Sequence, residues 1–318
     1  MNIVFMGTPE FSLPTLHKLY ESDHDVLLVV TQPDRPKGRG RESTPPPVKQ
    51  FALEKKISVL QPIKCTSLDI IKTLGALNAD VFIVVAFGQI LDKNLLALPH
   101  HFCINLHSSL LPKYRGAAPI NWAIINGETE TGVTTMKMNA GLDTGDILLS
   151  RKIPIRNKDD AQSLHDTLAH QGSSLVMETL NQLDSGSLEA TSQNSDLASY
   201  APKLKKEDGL IQWNQPAVKI HNLVRGLMPW PGAFSFLGSK RFKICKTETK
   251  SCDLSDQPGV ILRISGHGIE VGTKKERIVI TELQPEGKNK MNVKSFLAGH
   301  KLITGNIFTK QPSPITTL

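Results

Sequence analysis

The chain has few cysteines, and none at a spacing that binds metal or builds a scaffold. Cys65, Cys103, Cys245 and Cys252 form no CxxC pair, which argues against a zinc ribbon and, in a chain of 318 residues, against a disulfide-held fold. They read as reduced thiols. Long apolar runs are missing too: with 39% hydrophobic and 21% charged residues, no stretch approaches the ~20 residues that a membrane helix needs. The opening "MNIVFMGTPEF" lacks a basic segment followed by a long apolar one, so nothing suggests export, and a cytoplasmic protein with no membrane contact is expected. Two catalytic signatures are absent as well. The first strand ends in "MGTPEF" rather than G-x-G-x-x-G, which disfavours a dinucleotide oxidoreductase. Its Gly7 reads as a tight strand-to-helix turn with Pro9 early in the helix. Ser108 and Ser109 lack the strained G-x-S-x-G elbow of a serine hydrolase. No internal repeat of roughly 20 to 50 residues is found, which argues against a solenoid.

The length favours two domains over one core. "NIVFMG" (2–7), "DVLLVVTQ" (25–32) and "VFIVVAF" (81–87) are near-continuous apolar runs separated by helix-length segments, the pattern of parallel strands buried on both faces. "CINLH" (103–107) adds a fourth strand, "GVTTMKM" (132–138) alternates like a half-covered one, and "DILLSRKIPI" (146–155) makes a sixth. A helix follows over 163–183. The expected fold is α/β, an open, mostly parallel, Rossmann-like sheet, with ligands beyond the carboxyl ends of its strands. Polar residues 192–213 read as a connection, and the boundary falls near 206. Beyond a helix over 216–227, short alternating runs at 233–238, 240–247, 258–264, 268–273 and 277–283 predict a small OB-like β-barrel. The expected domains are thus 1–205 and 206–318.

The net charge of +7 is uneven: residues 1–205 carry 20 Lys/Arg against 21 Asp/Glu, and residues 206–318 carry 17 against 9. A positive field in the last third suits a polyanion such as nucleic acid, and equally a solvated basic face. "QPDRPKGRGRESTPPPV" (32–48) has five prolines, two glycines and four cations in 17 residues, a composition read as an irregular loop able to follow a phosphate backbone.

Chemistry-bearing residues gather after the fourth strand. Positions i and i+2 of a strand face one way, so Asn105 and His107 share a side where a site belongs. "GLDTGDI" (141–147) brackets Asp143 with two glycines, read as a tight turn that presents a carboxylate inward. Asp143 then orients the imidazole and favours its charged form, while Asn105 donates to a developing oxyanion.

"NLHSSLLPKYRGAAPINWAIINGETETGVTTMKMNAGLDTGDIL" resembles the folate-dependent formyltransferases, with their Asn-x-His pair, S-L-L-P turn and G-x-D-x-G-D aspartate. "GTPEF", "TQPDRPKGRGR" and "PWPGA" extend the resemblance over nearly the whole chain. It implies a catalytic trio of Asn105, His107 and Asp143, and a folate-binding turn of Ser109, Leu110, Leu111 and Pro112. It also implies 10-formyltetrahydrofolate as formyl donor, no metal, and the α-amine of methionine on initiator tRNA as acceptor, in translation initiation. Arg39 and Arg41, with Arg35, Lys37 and Lys206, are the expected tRNA contacts, since guanidinium pairs bidentately with phosphate. Lys205, Lys240, Arg241 and Lys243 are weaker candidates on charge alone. A monomer is expected. Other members of the family, acting on an amino sugar nucleotide or on glycinamide ribonucleotide, remain alternatives, as does a non-enzymatic RNA-binding protein. The basic last third and the arginine loop argue against the sugar nucleotide, the length against a single-domain enzyme, and the trio against mere RNA binding.

Overall fold

The computed structural model describes residues 1–37, 42–252 and 256–314, and they cluster into two compact units. The first comprises Met1–Pro119, Glu130–Pro154 and His165–Ala201, and the second Ile120–Thr129, Ile155–Leu164 and Pro202–Leu318.

Along the first unit run β1 (Asn2–Gly7), β2 (Asp25–Val30), β3 (Arg35–Lys37), β4 (Glu42–Thr44), β5 (Val59–Leu60), β6 (Val81–Val85), β7 (Cys103–His107), β8 (Arg115–Gly116), β9 (Glu130–Lys137), β10 (Ile147–Pro154) and β11 (Tyr200–Ala201). Seven of them form a sheet in the order β10-β9-β7-β6-β1-β2-β5. The pairs from β7 through β5 are parallel, and β9 and β10 close the other edge antiparallel. The apolar runs behave as their composition dictates: all five residues of β6 are buried, as are five of the six in β1, because a parallel sheet covered on both faces leaves no polar side.

Three expectations are corrected. β9 is not half-covered, since its six inner residues are all buried. Its threonines supply the apparent polar face, yet Thr134 and Thr135 are fully buried because each hydroxyl finds a partner: Thr134 donates to the Ser109 carbonyl at 2.7 Å, and Thr135 meets Thr179 at 2.8 Å. The 32–48 segment is not irregular throughout. β3 and β4 pair antiparallel as a separate two-stranded sheet, and a helix begins at Pro47. Pro36 is tolerated there because a two-stranded ribbon leaves one edge of each strand unpaired. Pro9, too, lies outside the first α-helix, which starts at Leu13 after a short Glu10–Ser12 turn.

The second unit carries β12 (Ala233–Leu237), β13 (Lys240–Lys250), β14 (Ile261–Ile264), β15 (Ile269–Gly272), β16 (Arg277–Pro285), β17 (Met291–Asn292) and β18 (Phe308–Thr309). Their antiparallel order is β14-β15-β16-β13-β12-β18, with β17 beside β16, and a bridge from Val260 to Ile307 joins the two ends, so the sheet curls into a barrel. Inside lie Ile244, Ile261, Val271, Ile280 and Phe242, with Trp213 stacked on Phe308 at 5.3 Å between ring centroids. Two earlier segments belong to this unit for local reasons. Asn121 donates to the Gly226 carbonyl at 2.8 Å, and a Cβ on Gly226 would stand 2.7 Å from Ile125, so the helix Pro119–Asn126 lies close against Ala217–Gly226. Arg225 donates to the carbonyls of Arg156 at 3.2 Å and Asp159 at 2.9 Å, which ties residues 155–164 to the same helix.

Candidate active site

β7 places the site. It pairs Asn105 with Val84 of β6 and Met136 of β9, and His107 with Thr134 of β9, which fixes both side chains at the carboxyl end of a central strand. Neighbouring turns meet there: Ser12 Oγ donates to the Val85 carbonyl at 2.7 Å and Thr8 Oγ1 to the Phe87 carbonyl at 2.9 Å. The sulfur on this strand is no competitor, since burial pushes the Cys103 thiol up to about 12 and keeps it protonated.

His107 is 6% exposed, and each of its ring nitrogens faces a polar neighbour. Nε2 lies 2.9 Å from the Tyr114 carbonyl oxygen. A carbonyl only accepts, so Nε2 carries a hydrogen and donates it, which leaves Nδ1 as the nitrogen that gains and loses a proton. Nδ1 faces Asp143 Oδ2 at 3.8 Å, within ion-pair range but beyond a hydrogen bond. The ring is therefore held by the Tyr114 carbonyl, with the Asp143 carboxylate beside Nδ1 at ion-pair rather than hydrogen-bond distance. Asp143 Oδ2 in turn accepts the Gly116 backbone N–H at 2.7 Å. The partly exposed Asn105 carboxamide hydrogen-bonds to no other described residue and is free to bind a ligand.

Both residues that address the imidazole have left-handed backbones without being glycine: φ is 61° at Tyr114 and 52° at Asp143. Such residues cost about 1–3 kcal/mol each and persist where their surroundings hold them. Tyr114 is held by its N–H, which donates to Ser199 Oγ at 2.9 Å, and by the parallel pairing of β8 with β11 that follows it. The glycines beside Asp143 have a different role from the one their sequence suggests. Neither Gly141 nor Gly145 has positive φ; instead a Cβ on Gly141 would strike Thr144 Oγ1, and one on Gly145 would strike the Lys137 carbonyl. They permit close approach, while Asp143 itself makes the turn.

The S-L-L-P turn spends much of its chemistry internally. Ser109 is fully buried and donates to the Lys113 carbonyl at 2.6 Å, and the Leu111 N–H reaches Thr134 Oγ1 at 3.3 Å. Leu111 is buried, Leu110 packs on Gly132, and Leu110 and Pro112 keep some exposed surface. Of the basic residues, Arg35 is exposed and donates to Gln32 Oε1 at 3.0 Å, while Lys37 ends β3. Arg39 and Arg41 lie outside the described residues. Lys206 is exposed at the start of a short 3-10 turn in the second unit, as is its neighbour Lys205, and in that unit Lys240 and Arg241 are exposed on β13 with Lys243 partly so. Tyr114 and Ser199 leave no local signal in the sequence: the first needs a backbone angle, and the second sits in a segment whose composition says only that it is a connection.

Residues 1–180 match the family model described as formyl transferase, and residues 203–301 match formyl transferase, C-terminal domain. The chain is 51% identical over 311 residues to methionyl-tRNA formyltransferase of Geotalea uraniireducens, covering 98% of this chain and 99% of that one. It is 52% identical over 315 residues to the same-named protein of Citrifermentans bemidjiense, covering 99% and 98%. Among solved structures it is similar to methionyl-tRNA formyltransferase from Clostridium thermocellum, with a TM-score of 0.54 at 18% identity over 79% of this chain and 94% of that one. The sugar 3N-formyl transferase WlaRD, solved with dTDP and 5-N-formyl-THF, gives a TM-score of 0.67 at 21% identity over 91% and 99%. At those identities the structural likeness speaks for the fold alone.

Proposed function

The chain belongs to the formyl transferase family, with the methionyl-tRNA formyltransferases, and from that premise we propose how its residues divide the work of formylating methionyl-tRNA for translation initiation in the cytoplasm. In this reading the donor is 10-formyltetrahydrofolate, residues 1–205 carry the chemistry, residues 206–318 and the 32–48 segment hold initiator tRNA, and the protein acts as a monomer.

The observation that carries the reading is the Asn105 carboxamide, unpartnered among the described residues, on the same strand side as His107, whose Nδ1 faces Asp143 at 3.8 Å. The folate supplies a formyl carbon bonded to a nitrogen that can leave. The methionine amine attacks that carbon, a new C–N bond forms, and the formyl oxygen becomes negative. Asn105 and the protonated Nδ1 of His107 stabilise this oxygen; losing one such donor typically costs about 3 kcal/mol. The old C–N bond then breaks as its nitrogen takes the Nδ1 proton, and the amine's own proton restores the imidazolium. With Nε2 committed to Tyr114, Nδ1 is the ring position through which this exchange runs. Asp143 steadies the positive charge throughout. Formyl transfer from the folate donor to methionyl-tRNA, present in the wild-type chain and lost with the His107 side chain, tests the assignment; transfer that survives without His107 contradicts it.

The tRNA-binding residues have their own test. Removing one cation from a phosphate reduces the slope of log affinity against log salt by about 1. An Arg39→Ala, Arg41→Ala double variant is expected to bind initiator tRNA more weakly with a shallower slope, and to bind a folate analogue unchanged. Titration at several salt concentrations checks this, and unchanged affinity and slope would make the segment a solvated connector.

A further inference from the structure

On the reading just given, we propose that Gln193 is a positioning residue of the formyl transfer, a side-chain clamp between the two backbone segments that flank His107. Its amide makes four hydrogen bonds. Nε2 donates to the Asp143 carbonyl at 2.9 Å and to the Gly145 carbonyl at 2.6 Å. Oε1 accepts from Arg115 Nε at 3.1 Å and Nη2 at 2.8 Å. Arg115 lies between Tyr114, whose carbonyl holds Nε2 of the imidazole, and Gly116, whose N–H holds the Asp143 carboxylate. Gln193 therefore joins residues 114–116, on one side of the ring, to residues 143–145, on the other.

The residue type matters. A glutamine offers an acceptor with two lone pairs at one atom and two donors at the next, which is the set these four partners need. A glutamate would satisfy Arg115 better, since that residue is 3% exposed and makes no ion pair with a carboxylate among the described residues. It would also point a negative charge at two carbonyl oxygens. The presence of an amide opposite a buried arginine is thus explained by the Asp143 side of the clamp and not by the Arg115 side. Guanidinium bonds to Oε1 polarise the amide and strengthen what its N–H groups donate. The beneficiary is a residue at φ 52°, which would otherwise relax and carry its carboxylate away from Nδ1.

The test separates a clamp from a merely structural role by comparing Gln193→Glu with Gln193→Ala. The glutamate variant keeps the Arg115 bonds, so its thermal midpoint should stay near wild type. Its kcat should fall about a hundredfold, the scale of a misplacement near 1 Å, with KM for both substrates nearly unchanged. Protection of the Gly116 amide against hydrogen exchange should fall in the same variant, because that N–H is bonded to the Asp143 carboxylate. The alanine variant should lose both stability and kcat; if it fails to fold, the glutamate variant decides alone. A Gln193→Glu enzyme with wild-type kcat and a protected Gly116 amide would overturn the proposal, as would a defect confined to KM. A wild-type chain that transfers no formyl group to methionyl-tRNA would instead refute the functional reading, whatever Gln193 does.

Discussion

A His107→Ala enzyme should fold, bind tRNA with nearly unchanged affinity, and lose at least two orders of magnitude in kcat. Two effects combine in that one change. The imidazolium no longer stabilises the formyl oxygen, worth about 10² to 10³ in rate, and no ring nitrogen exchanges a proton with the reacting atoms, worth a further 10² to 10⁴ if the two were independent. They share one group, so the observed loss should be smaller than their product. Asp143→Asn makes a sharper comparison. Its amide oxygen still accepts the Gly116 N–H that Asp143 accepts at 2.7 Å, so the turn keeps its shape, but the negative charge facing Nδ1 is gone. Its kcat should fall with KM little changed. Asn105→Ala should likewise act mainly on kcat, and a defect confined to KM would make Asn105 a binding residue only. Steady-state kinetics with both substrates, alongside tRNA titration, reads all three; near-normal turnover in His107→Ala and Asp143→Asn would end the catalytic assignment.

Gly145→Ala should be nearly as damaging, though it adds one methyl group. The added Cβ would run into the Lys137 carbonyl, which belongs to the β9 backbone and has little room to yield. The 141–147 turn must move instead, taking the Asp143 carboxylate from His107 and the Asp143 and Gly145 carbonyls from Gln193. We expect roughly 3 kcal/mol lower stability, the upper range for a single backbone-displacing substitution, and a fall in kcat of about a hundredfold. Gly186→Ala is the control. That glycine has φ 71° with nothing within 4 Å of an added Cβ, so only local backbone strain applies, about 1 kcal/mol, and activity should be untouched. Denaturant unfolding and kcat on both variants test the contrast. Wild-type turnover in Gly145→Ala would show that the turn tolerates displacement.

What the sequence disclosed follows from the range of the forces involved. Strands such as "VFIVV" are legible because burial on both faces demands an unbroken apolar run, and the positions of Asn105 and His107 on one side follow from the two-residue period of a strand. The barrel strands were legible in the same way, from alternation and spacing. β9 was misread because a buried threonine with a hydrogen-bond partner looks, in sequence, like an exposed one. The β3–β4 pairing was missed because proline composition argues against strands in general while a two-stranded ribbon leaves edges where proline fits. The site's geometry was hidden for a further reason. Left-handed Tyr114 and Asp143 are stabilised by partners as remote as Ser199 and Gln193, and no local pattern records a contact between residues 50 to 85 positions apart. The glycines near Asp143 were correctly singled out, but for conformational freedom they do not use.

In the proposed function, folate-dependent formyl transfer is aimed at an aminoacyl-tRNA. The most direct measurement is the initial rate of formyl transfer from 10-formyltetrahydrofolate by the wild-type chain to two acceptors in parallel, initiator methionyl-tRNA and an amino sugar nucleotide. Methionyl-tRNA should be formylated rapidly, less so at rising salt as phosphate contacts are screened, and the sugar nucleotide not at all. Formylation of the amino sugar nucleotide with methionyl-tRNA left unmodified would contradict it.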